Sequence, residues 1–345
     1  MFLMTEVSKR ELSRYSRHII LKEIGIEGQK KLKNSKVVVA GCGALGCVSS
    51  NLLARAGLGK LVLVDRDIVE LTNLQRQILY TDKDVNRPKA EVAKEVLSNA
   101  NPDIEIESIV TDLSSENAEE IISGCDVVVD ATDNMETRYL INDVCVKNGI
   151  PWIYGGAIST HGMILTIVPK KTACFRCFFP KPPGAGVLPT CEIAGVLNTI
   201  PSIIASIQAT EAIKILLGKF EDINKELTII DIWNNDFRRI PVPIDERCET
   251  CKKENFEFLE NKKRKTTNLC GRNAIQINPQ TKGEIELNKL SKNLSNLGKV
   301  TEMNSCIIFK VDGYEITIFK DGRALIKGTK DENVAIELYS KYIGI

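Results

Sequence analysis

The chain has 345 residues, enough for one large domain and a small second one. Its 46 Lys and Arg residues nearly cancel its 45 Asp and Glu residues, which argues against attraction to nucleic acid or to an anionic membrane. No apolar run reaches the roughly 18 residues of a membrane helix, and residues 1–4 are too short for a signal peptide, so we expect a soluble, cytoplasmic protein. Its 11 cysteines then indicate metal ligands or reactive thiols, and its 2 histidines leave few candidates for an imidazole base.

Helical and apolar extended segments alternate over the first half of the chain. In chain order we predict a helical segment at 6–35, a strand at 36–40, a glycine loop at 41–46 with a helix to about 56, a strand at 61–65, a helix near 89–100, a strand at 104–110, a helix near 116–123 and a strand at 126–130. This order predicts a doubly wound, Rossmann-like α/β sheet.

After Pro151 the pattern changes to paired apolar runs, so the sheet should continue as a mixed one. We predict strands at 152–157 and 162–168, a mobile Pro/Gly-rich loop at 180–189, a helix from Pro201 to about 217, and closing strands at 227–233 and 237–242. The first domain therefore spans about residues 1–255.

A charged connector, 254–265, leads to a different small module at 266–345. Runs at 305–311, 314–319 and 323–327 predict strands, and Thr329 with Glu332 predicts a capping box that opens a helix to about residue 342. This small α+β module carries no pattern typical of catalysis, and Cys270 has no evident role.

Three glycines, Gly41, Gly43 and Gly46, stand between a strand and a helix. Backbone N–H groups there can hold phosphates at the positive end of the helix, and Asp65 at the end of the next strand can accept ribose hydroxyls. Alone this pattern is weak evidence, because the same glycines can serve tight packing.

Polar and cationic side chains follow Asp65 within about 25 residues: Asn73, Arg76, Gln77 and Lys89. Such cations stabilise a pentavalent phosphorus and a departing pyrophosphate, whereas a nicotinamide pocket does not need them. A solvated helix face is the alternative for any one of them, but the cluster favours ATP over NAD.

One carboxylate, Asp130, ends the strand at 126–130, and a second, Asp133, follows it. Ligands bind at the carboxyl ends of parallel strands, so we assign Mg²⁺ to Asp133. Asp130 is the second choice for the metal, or it caps the next helix.

Two C-x-x-C pairs, Cys174 with Cys177 and Cys248 with Cys251, predict a four-thiolate structural zinc site. A redox dithiol would explain one pair and not both. Cys191 follows the Pro/Gly-rich loop without a cysteine neighbour and is a candidate nucleophile. Its alternative is an ordinary buried cysteine, which is how we interpret Cys42, Cys47, Cys125, Cys145 and Cys306.

Taken in order, these motifs resemble the ubiquitin-activating superfamily, and within it the MoeB/ThiF/HesA group of sulfur-carrier adenylyltransferases. The resemblance covers about residues 10–253. It implies a crossover loop at 178–198 and an ATP-binding half at 36–150. It also implies that Arg17, in a segment like the family's N-terminal helix, reaches into the ATP site of the second subunit of a homodimer.

The activity implied by the resemblance is adenylylation of the C-terminal glycine of a ubiquitin-like sulfur carrier that ends in Gly-Gly. The carrier would belong to a molybdopterin, thiamine or tRNA-thiolation pathway. Its carboxylate is already ionised at neutral pH, so a histidine base is unnecessary. A loop cysteine such as Cys191 can then take part in sulfur chemistry, and sulfur would come from a separate donor because no rhodanese-like domain follows.

Three alternatives remain. The substrate could be the carboxylate of a small molecule or a peptide. The chain could be a non-catalytic nucleotide-binding scaffold, although such subunits typically lose the phosphate-contacting residues that are present here. An NAD-dependent dehydrogenase ranks lowest.

Overall fold

The structure is a computed structural model that describes residues 6–183, 191–260, 266–268, 274–279, 284–303 and 305–343, with the backbone alone for 191–192 and 266–268. The described residues form two compact units: the first holds 6–183 and 196–260, and the second holds 191–195 and the residues from 266 onward. Among the described helices, none combines the length and apolar character that crossing a membrane requires.

The first unit is built on an eight-stranded mixed sheet of order β3-β2-β1-β4-β5-β6-β7-β8. β1 to β5 are parallel, and β5 to β8 are antiparallel neighbours. The strands are β1 Lys36–Ala40, β2 Lys60–Val64, β3 Glu105–Ile109, β4 Val127–Asp130, β5 Trp152–Ile158, β6 His161–Ile167, β7 Leu227–Asp231 and β8 Asp236–Ile240. The predicted doubly wound, mixed sheet is confirmed.

Helices cover both faces of this sheet. They are α1 Lys9–Arg14, α2 Ser16–Ile19, α3 Gly25–Lys33, α4 Ala44–Ala56, α5 Lys89–Ala100, α6 Ala118–Ile122, α7 Met135–Asn148, α8 Phe175–Phe178, α10 Thr199–Leu216 and α11 Glu257–Glu260. Side chains alternate along each strand, so Val37 and Val39 pack with α4, α5 and α10, while Val38 and Ala40 pack with α6 and α7. Burial on both faces explains why β1, β2 and β4 are largely apolar runs, whereas the edge strand β3 is partly exposed and carries Glu105 and Glu107.

The N-terminal segment departs from the continuous helical spacing expected at 6–35. It forms three short helices, α1 to α3, and Gly25 at the start of α3 has φ +64°. That conformation is unfavourable for other residues and interrupts a helix, so periodic polarity alone could not predict the break.

The second unit begins with α9 Cys191–Ala194 and contains a six-stranded sheet of order β11-β12-β13-β14-β10-β9. Its strands are β9 Thr266–Asn268, β10 Ala274–Ile277, β11 Lys299–Glu302, β12 Cys306–Val311, β13 Tyr314–Phe319 and β14 Ala324–Lys327, and its longer helices are α12 Leu287–Leu294 and α13 Glu332–Tyr342. All its strand pairs are antiparallel, and one face packs on α12 and α13. The α+β module and its last three strands are confirmed, whereas Cys270 lies outside the described residues.

The predicted capping box at the last helix is wrong. Asp331 is the N-cap of α13, and its side chain accepts a hydrogen bond from the N–H of Asn333 at 2.9 Å. Thr329 instead accepts one from the N–H of Asp331 at 3.0 Å. Aspartate is an equally good N-cap, and Asp331 stands two positions closer to the helix than Thr329.

Candidate functional site

The predicted site residues gather at the carboxyl edge of the parallel strands. The glycine loop follows β1, Asp65 follows β2, and residues 131–134 follow β4. β1 lies between β2 and β4, so the order of the strands reverses at β1. A crevice forms at such a switch point, and nucleotides bind there in open α/β sheets.

The glycine loop is tightly packed and leaves the start of α4 open. A Cβ atom at Gly41 would lie 2.5 Å from the carbonyl oxygen of Ala131, and one at Gly46 would collide with the carbonyl of Gly41. Gly43 is the N-cap of α4, and no side chain caps the helix there. The first N–H groups of α4 are therefore available to an anion, at the end where the helix dipole is positive.

Asp65 is held by the backbone on both of its oxygens. Oδ2 accepts from the N–H of Cys42 at 2.6 Å, and Oδ1 accepts from the N–H of Asp67 at 2.7 Å. Burial raises the pKa of Asp65, the charge of Lys89 opposes this rise, and the charge of Asp67 adds to it. A carboxylate has further lone pairs, so Asp65 can still accept hydroxyl donors from a ribose.

Lys89 begins α5 and is a buried cation, with only 4% of its side chain exposed. Its Nζ lies 3.1 Å from Oδ2 of Asp67, whose other oxygen lies 3.9 Å from Nε of Arg66. Arg66 is also paired with Asp112 at 3.0 Å. Burial lowers the pKa of Arg66, but the surrounding carboxylates, Asp112 first, outweigh burial and raise it. Asp67 therefore faces two cations, and Lys89 can turn towards a phosphate without leaving that carboxylate alone.

The segment between Asp67 and Lys89 holds the other predicted nucleotide residues. Asn73 is buried, and its side chain accepts from the N–H of Glu70 at 3.2 Å. Gln77 is also buried, and its Oε1 has no hydrogen-bond partner among the described residues. Arg76 is partly exposed and donates to the carbonyl of Thr72 at 2.9 Å. Gln77 lies near the glycine loop, with Nε2 3.8 Å from where a Cβ on Gly43 would stand.

Asp130 and Asp133 differ in their surroundings. Asp130 is buried, accepts from Thr132, and pairs with Nε of Arg138 at 3.2 Å. Burial raises the pKa of Asp130, and the charge of Arg138 opposes this rise. Asp133 is exposed and makes no hydrogen bond or ion pair with any described residue. Of the two carboxylates, Asp133 is the better placed to take a cation from solvent.

The alternative that Asp130 caps the next helix is wrong. Asn134 is the N-cap of α7, and its Oδ1 accepts from the N–H of Thr137 at 2.9 Å. Asp130 instead pairs with Arg138, a largely enclosed cation whose side chain is 12% exposed and which no motif in the sequence singles out. In a helix sequence, a buried arginine has the same spacing as a solvated one.

The four predicted zinc ligands come together at α8 and the segment 248–251. All four sulfur atoms, of Cys174, Cys177, Cys248 and Cys251, lie within 4.8 Å of one another, and Asp245 donates its N–H to the sulfur of Cys177 at 3.5 Å. The closest sulfur pairs are 3.5 Å apart. A tetrahedron with Zn–S bonds of about 2.3 Å has sulfur–sulfur edges of about 3.8 Å, so this donor set fits Zn²⁺. Four protein ligands fill the tetrahedron, and a structural role follows.

For two predicted site residues, Arg17 and Cys191, the structure describes no contact with the carboxyl edge of the parallel strands. Arg17 on α2 is exposed and forms no hydrogen bond or ion pair with the part of the chain that the structure describes. Cys191 begins α9 in the second unit, and its side chain lies outside the described residues. The remaining cysteines, Cys42, Cys47, Cys125, Cys145 and Cys306, are buried as expected.

The pattern of the ThiF family matches residues 15–252 of this chain. The chain belongs to the ThiF family. This ThiF family member is 39% identical over 337 residues to the sulfur carrier protein ThiS adenylyltransferase of Bacillus subtilis, which covers 96% of this chain and 99% of that one. It is 43% identical over 250 residues to the SAMP-activating enzyme E1 of Haloferax volcanii, covering 72% of this chain and 92% of that one.

Among solved structures, this ThiF family member is similar to E. coli MccB crystallised with ATP. The TM-score is 0.61 at 26% identity, over 69% of this chain and 74% of that one. The resemblance predicted from motifs ended near residue 253, but the likeness to the Bacillus subtilis enzyme spans 337 residues and so reaches into the second unit. Motifs could not have found this, because that unit has none typical of chemistry.

Proposed function

We propose that this ThiF family member is an ATP-dependent adenylyltransferase that activates the C-terminal glycine of a ubiquitin-like sulfur carrier. The observation that carries the proposal is that an uncapped helix start, Asp65, the buried Lys89 and Asp133 lie at one edge of the sheet, where the order of the strands reverses. Each is suited to a different part of ATP: phosphates, ribose, phosphate charge and a metal ion. The names of the relatives from Bacillus subtilis and Haloferax volcanii support a sulfur carrier as the acceptor.

The reaction needs positioning and charge stabilisation more than proton transfer. One oxygen of the carrier carboxylate attacks the α-phosphorus, the bond from that phosphorus to the bridging oxygen breaks, and pyrophosphate leaves with the bonding electrons. N–H groups at the start of α4 bind phosphate, Asp65 accepts the ribose hydroxyls, and Lys89 and Arg76 stabilise the charge that develops on the pyrophosphate. Mg²⁺ held by Asp133 would neutralise phosphate charge when bound.

The zinc cluster has no part in this reaction. It joins α8 to the segment 248–251, and Thr250 in that segment donates a hydrogen bond to Asp143 on α7 at 3.0 Å. Thiolate ligands and ATP both suit the reducing cytoplasm, which is where we place the protein. Sulfur then comes from a separate donor, with Cys191 as the candidate thiol on this chain.

A second subunit completes the site in this proposal. Arg17 is exposed and without a described partner, and large apolar side chains are exposed nearby in sequence at Ile20 and, beside the predicted nucleotide residues, at Leu71 and Ile78. A self-complementary interface would bury such side chains and carry Arg17 to the partner's crevice. Homodimerisation therefore belongs to the proposal.

The carrier docks at the turn between β7 and β8. β7 runs parallel to β4, because two antiparallel steps separate β7 from β5, so its end at Asp231 lies at the same edge as the crevice. Trp233 in that turn is 72% exposed, and Phe237 on β8 is 58% exposed. An extended carrier tail could then reach the crevice from a globular domain seated on these aromatic side chains.

The test is carrier-dependent exchange of labelled pyrophosphate into ATP, with a carrier ending in Gly-Gly and with the same carrier lacking the last glycine. We expect exchange with the intact carrier alone. Trp233→Ala should raise the KM for the carrier about 10-fold or more and leave the KM for ATP unchanged. Leu297→Ala removes an exposed apolar side chain from the second unit and serves as the control. Equal exchange with the truncated carrier would favour a small-molecule or peptide carboxylate.

A further inference from the structure

β4 and β5 separate at the point where the candidate site begins. Their ladder has two rungs, Val128 with Trp152 and Val129 with Ile153. Beyond the second rung β5 continues beside β6 only, and Asp130 has no partner on β5. Diverging parallel strands leave main-chain carbonyls unpaired, and a buried carbonyl without a donor is unfavourable.

Gln208 on α10 fills this opening. Its Nε2 donates to the carbonyl of Asp130 at 2.7 Å and to the carbonyl of Ile153 at 3.1 Å, and the side chain is fully buried. Two carbonyl acceptors fix the orientation of the amide, because only its nitrogen can donate. Its Oε1 has no hydrogen-bond partner among the described residues. Its nitrogen therefore makes two hydrogen bonds, while its oxygen makes none with the described residues.

The surrounding backbone is shaped to this amide. A Cβ atom at Gly155 would lie 2.7 Å from Cδ of Gln208, so glycine on β5 leaves the room that the amide occupies. On the other side, the carbonyl of Ala131 is the atom that a Cβ at Gly41 would meet at 2.5 Å. The segment that Gln208 holds is thus in contact with the glycine loop and leads directly to Asp133.

We propose that Gln208 is a positioning residue for the nucleotide crevice, which it serves by tying the end of β4 to β5 and so fixing both the floor of the glycine loop and the loop that carries Asp133. This inference rests on the proposed adenylylation. Gln208 is fully buried and bonds to main-chain carbonyls, so it acts through the backbone of Asp130.

Gln29 offers a matched comparison within the same unit. It is also buried, its Nε2 donates to a carbonyl, that of Ala56 at 2.9 Å, and its Oε1 also lacks a described partner. Ala56 ends α4, at the opposite end of that helix from the glycine loop. The two glutamines therefore share their chemistry and differ in what they hold.

The experiment compares Gln208→Met and Gln29→Met, each close to glutamine in size and unable to donate. Both should lower the Tm, but only Gln208→Met should lower the kcat of exchange, by about 10-fold or more per folded protein, and raise the Mg²⁺ concentration needed for half-maximal rate. Bound zinc gives the folded fraction. Wild-type kcat in Gln208→Met, or an equal loss in Gln29→Met, would overturn the positioning role.

Gln208→Glu adds a second measurement, the pH dependence of activity, which should not change if Gln208 only fills space. A protonated carboxyl can donate one of the two hydrogen bonds and a carboxylate neither, so its activity relative to wild type should fall as pH rises. If the activity of Gln208→Glu relative to wild type does not change with pH, the proposal is contradicted. This pH profile decides the case if Gln208→Met does not fold.

Affinity for a non-hydrolysable ATP analogue with Mg²⁺ separates this inference from the proposed function. If the wild type gives no exchange, the proposed function fails, while weaker analogue binding by Gln208→Met than by Gln29→Met still supports the positioning role. Equal affinities of these two variants would refute it.

Discussion

Replacing Lys89 by methionine tests whether this buried cation serves ATP or only the fold. At 3.1 Å from Asp67, and with an effective dielectric constant of about 20, the attraction is about 5 kcal/mol. The cost of burying the ammonium cancels most of it, and Arg66 remains beside Asp67. We therefore expect Lys89→Met to lower the free energy of unfolding by about 1–2 kcal/mol and exchange by about 100- to 1000-fold.

A double variant separates the two effects. In the single variant Lys89→Met, Asp67 loses one of its two neighbouring cations. Adding Asp67→Asn removes that carboxylate, so the double variant should recover most of the lost stability in urea titrations. It should not recover exchange, because no ammonium is restored to the crevice. Return of exchange in the double variant, or wild-type exchange in Lys89→Met alone, would refute the assignment of Lys89 to the phosphates.

The remaining predictions concern the metal, the second subunit and pH. Cys248→Ser should lose its zinc and lower the Tm by at least about 10 °C, whereas Cys125→Ser should keep its zinc; full zinc content in Cys248→Ser would contradict the cluster. Arg17→Ala and Lys89→Met subunits should each be inactive alone. An equimolar mixture that exchanges subunits should recover about a quarter of wild-type exchange, because about half of the dimers are then heterodimers with one complete site each; no recovery in proven heterodimers would exclude action in trans. Burial raises the pKa of Asp143 from 3.8 to about 6, so the folded state binds the proton more tightly, and wild type should lose up to about 3 kcal/mol of stability as pH rises from about 4 to about 7. Asp143→Asn lacks this loss, so its stability relative to wild type should rise over that range in urea titrations, and a constant difference would contradict the assignment.

The sequence predicts the centre of the large sheet well because β1, β2 and β4 are buried on both faces. Runs such as Val37 to Val39 and Val127 to Val129 contain no polar residue, so they are readily assigned to buried strands. The second unit is harder, since β11 is short and largely exposed and β9 has only three residues. Neither carries an apolar run from which a strand could be predicted.

At the candidate site, the sequence singles out the residues that have a positional signature and misses the residues that support them. Glycines after a strand and an aspartate at the end of the next one are visible in the sequence. Arg138 and Gln208 are polar residues within helices, a pattern shared with any solvated helix face. Only the tertiary structure shows that both bridge the ends of β4 and β5.

Transfer of AMP to the C-terminal carboxylate of a carrier protein can be followed directly with labelled ATP. ATP labelled at the α-phosphorus, incubated with Mg²⁺, the chain and a ubiquitin-like carrier ending in Gly-Gly, should label the carrier in an acid-precipitable, hydroxylamine-sensitive form, and ATP labelled at the γ-phosphorus should not. Label on the carrier from the γ-phosphorus, or label from the α-phosphorus that is unchanged when the final glycine is deleted, would contradict transfer of AMP to that carboxylate.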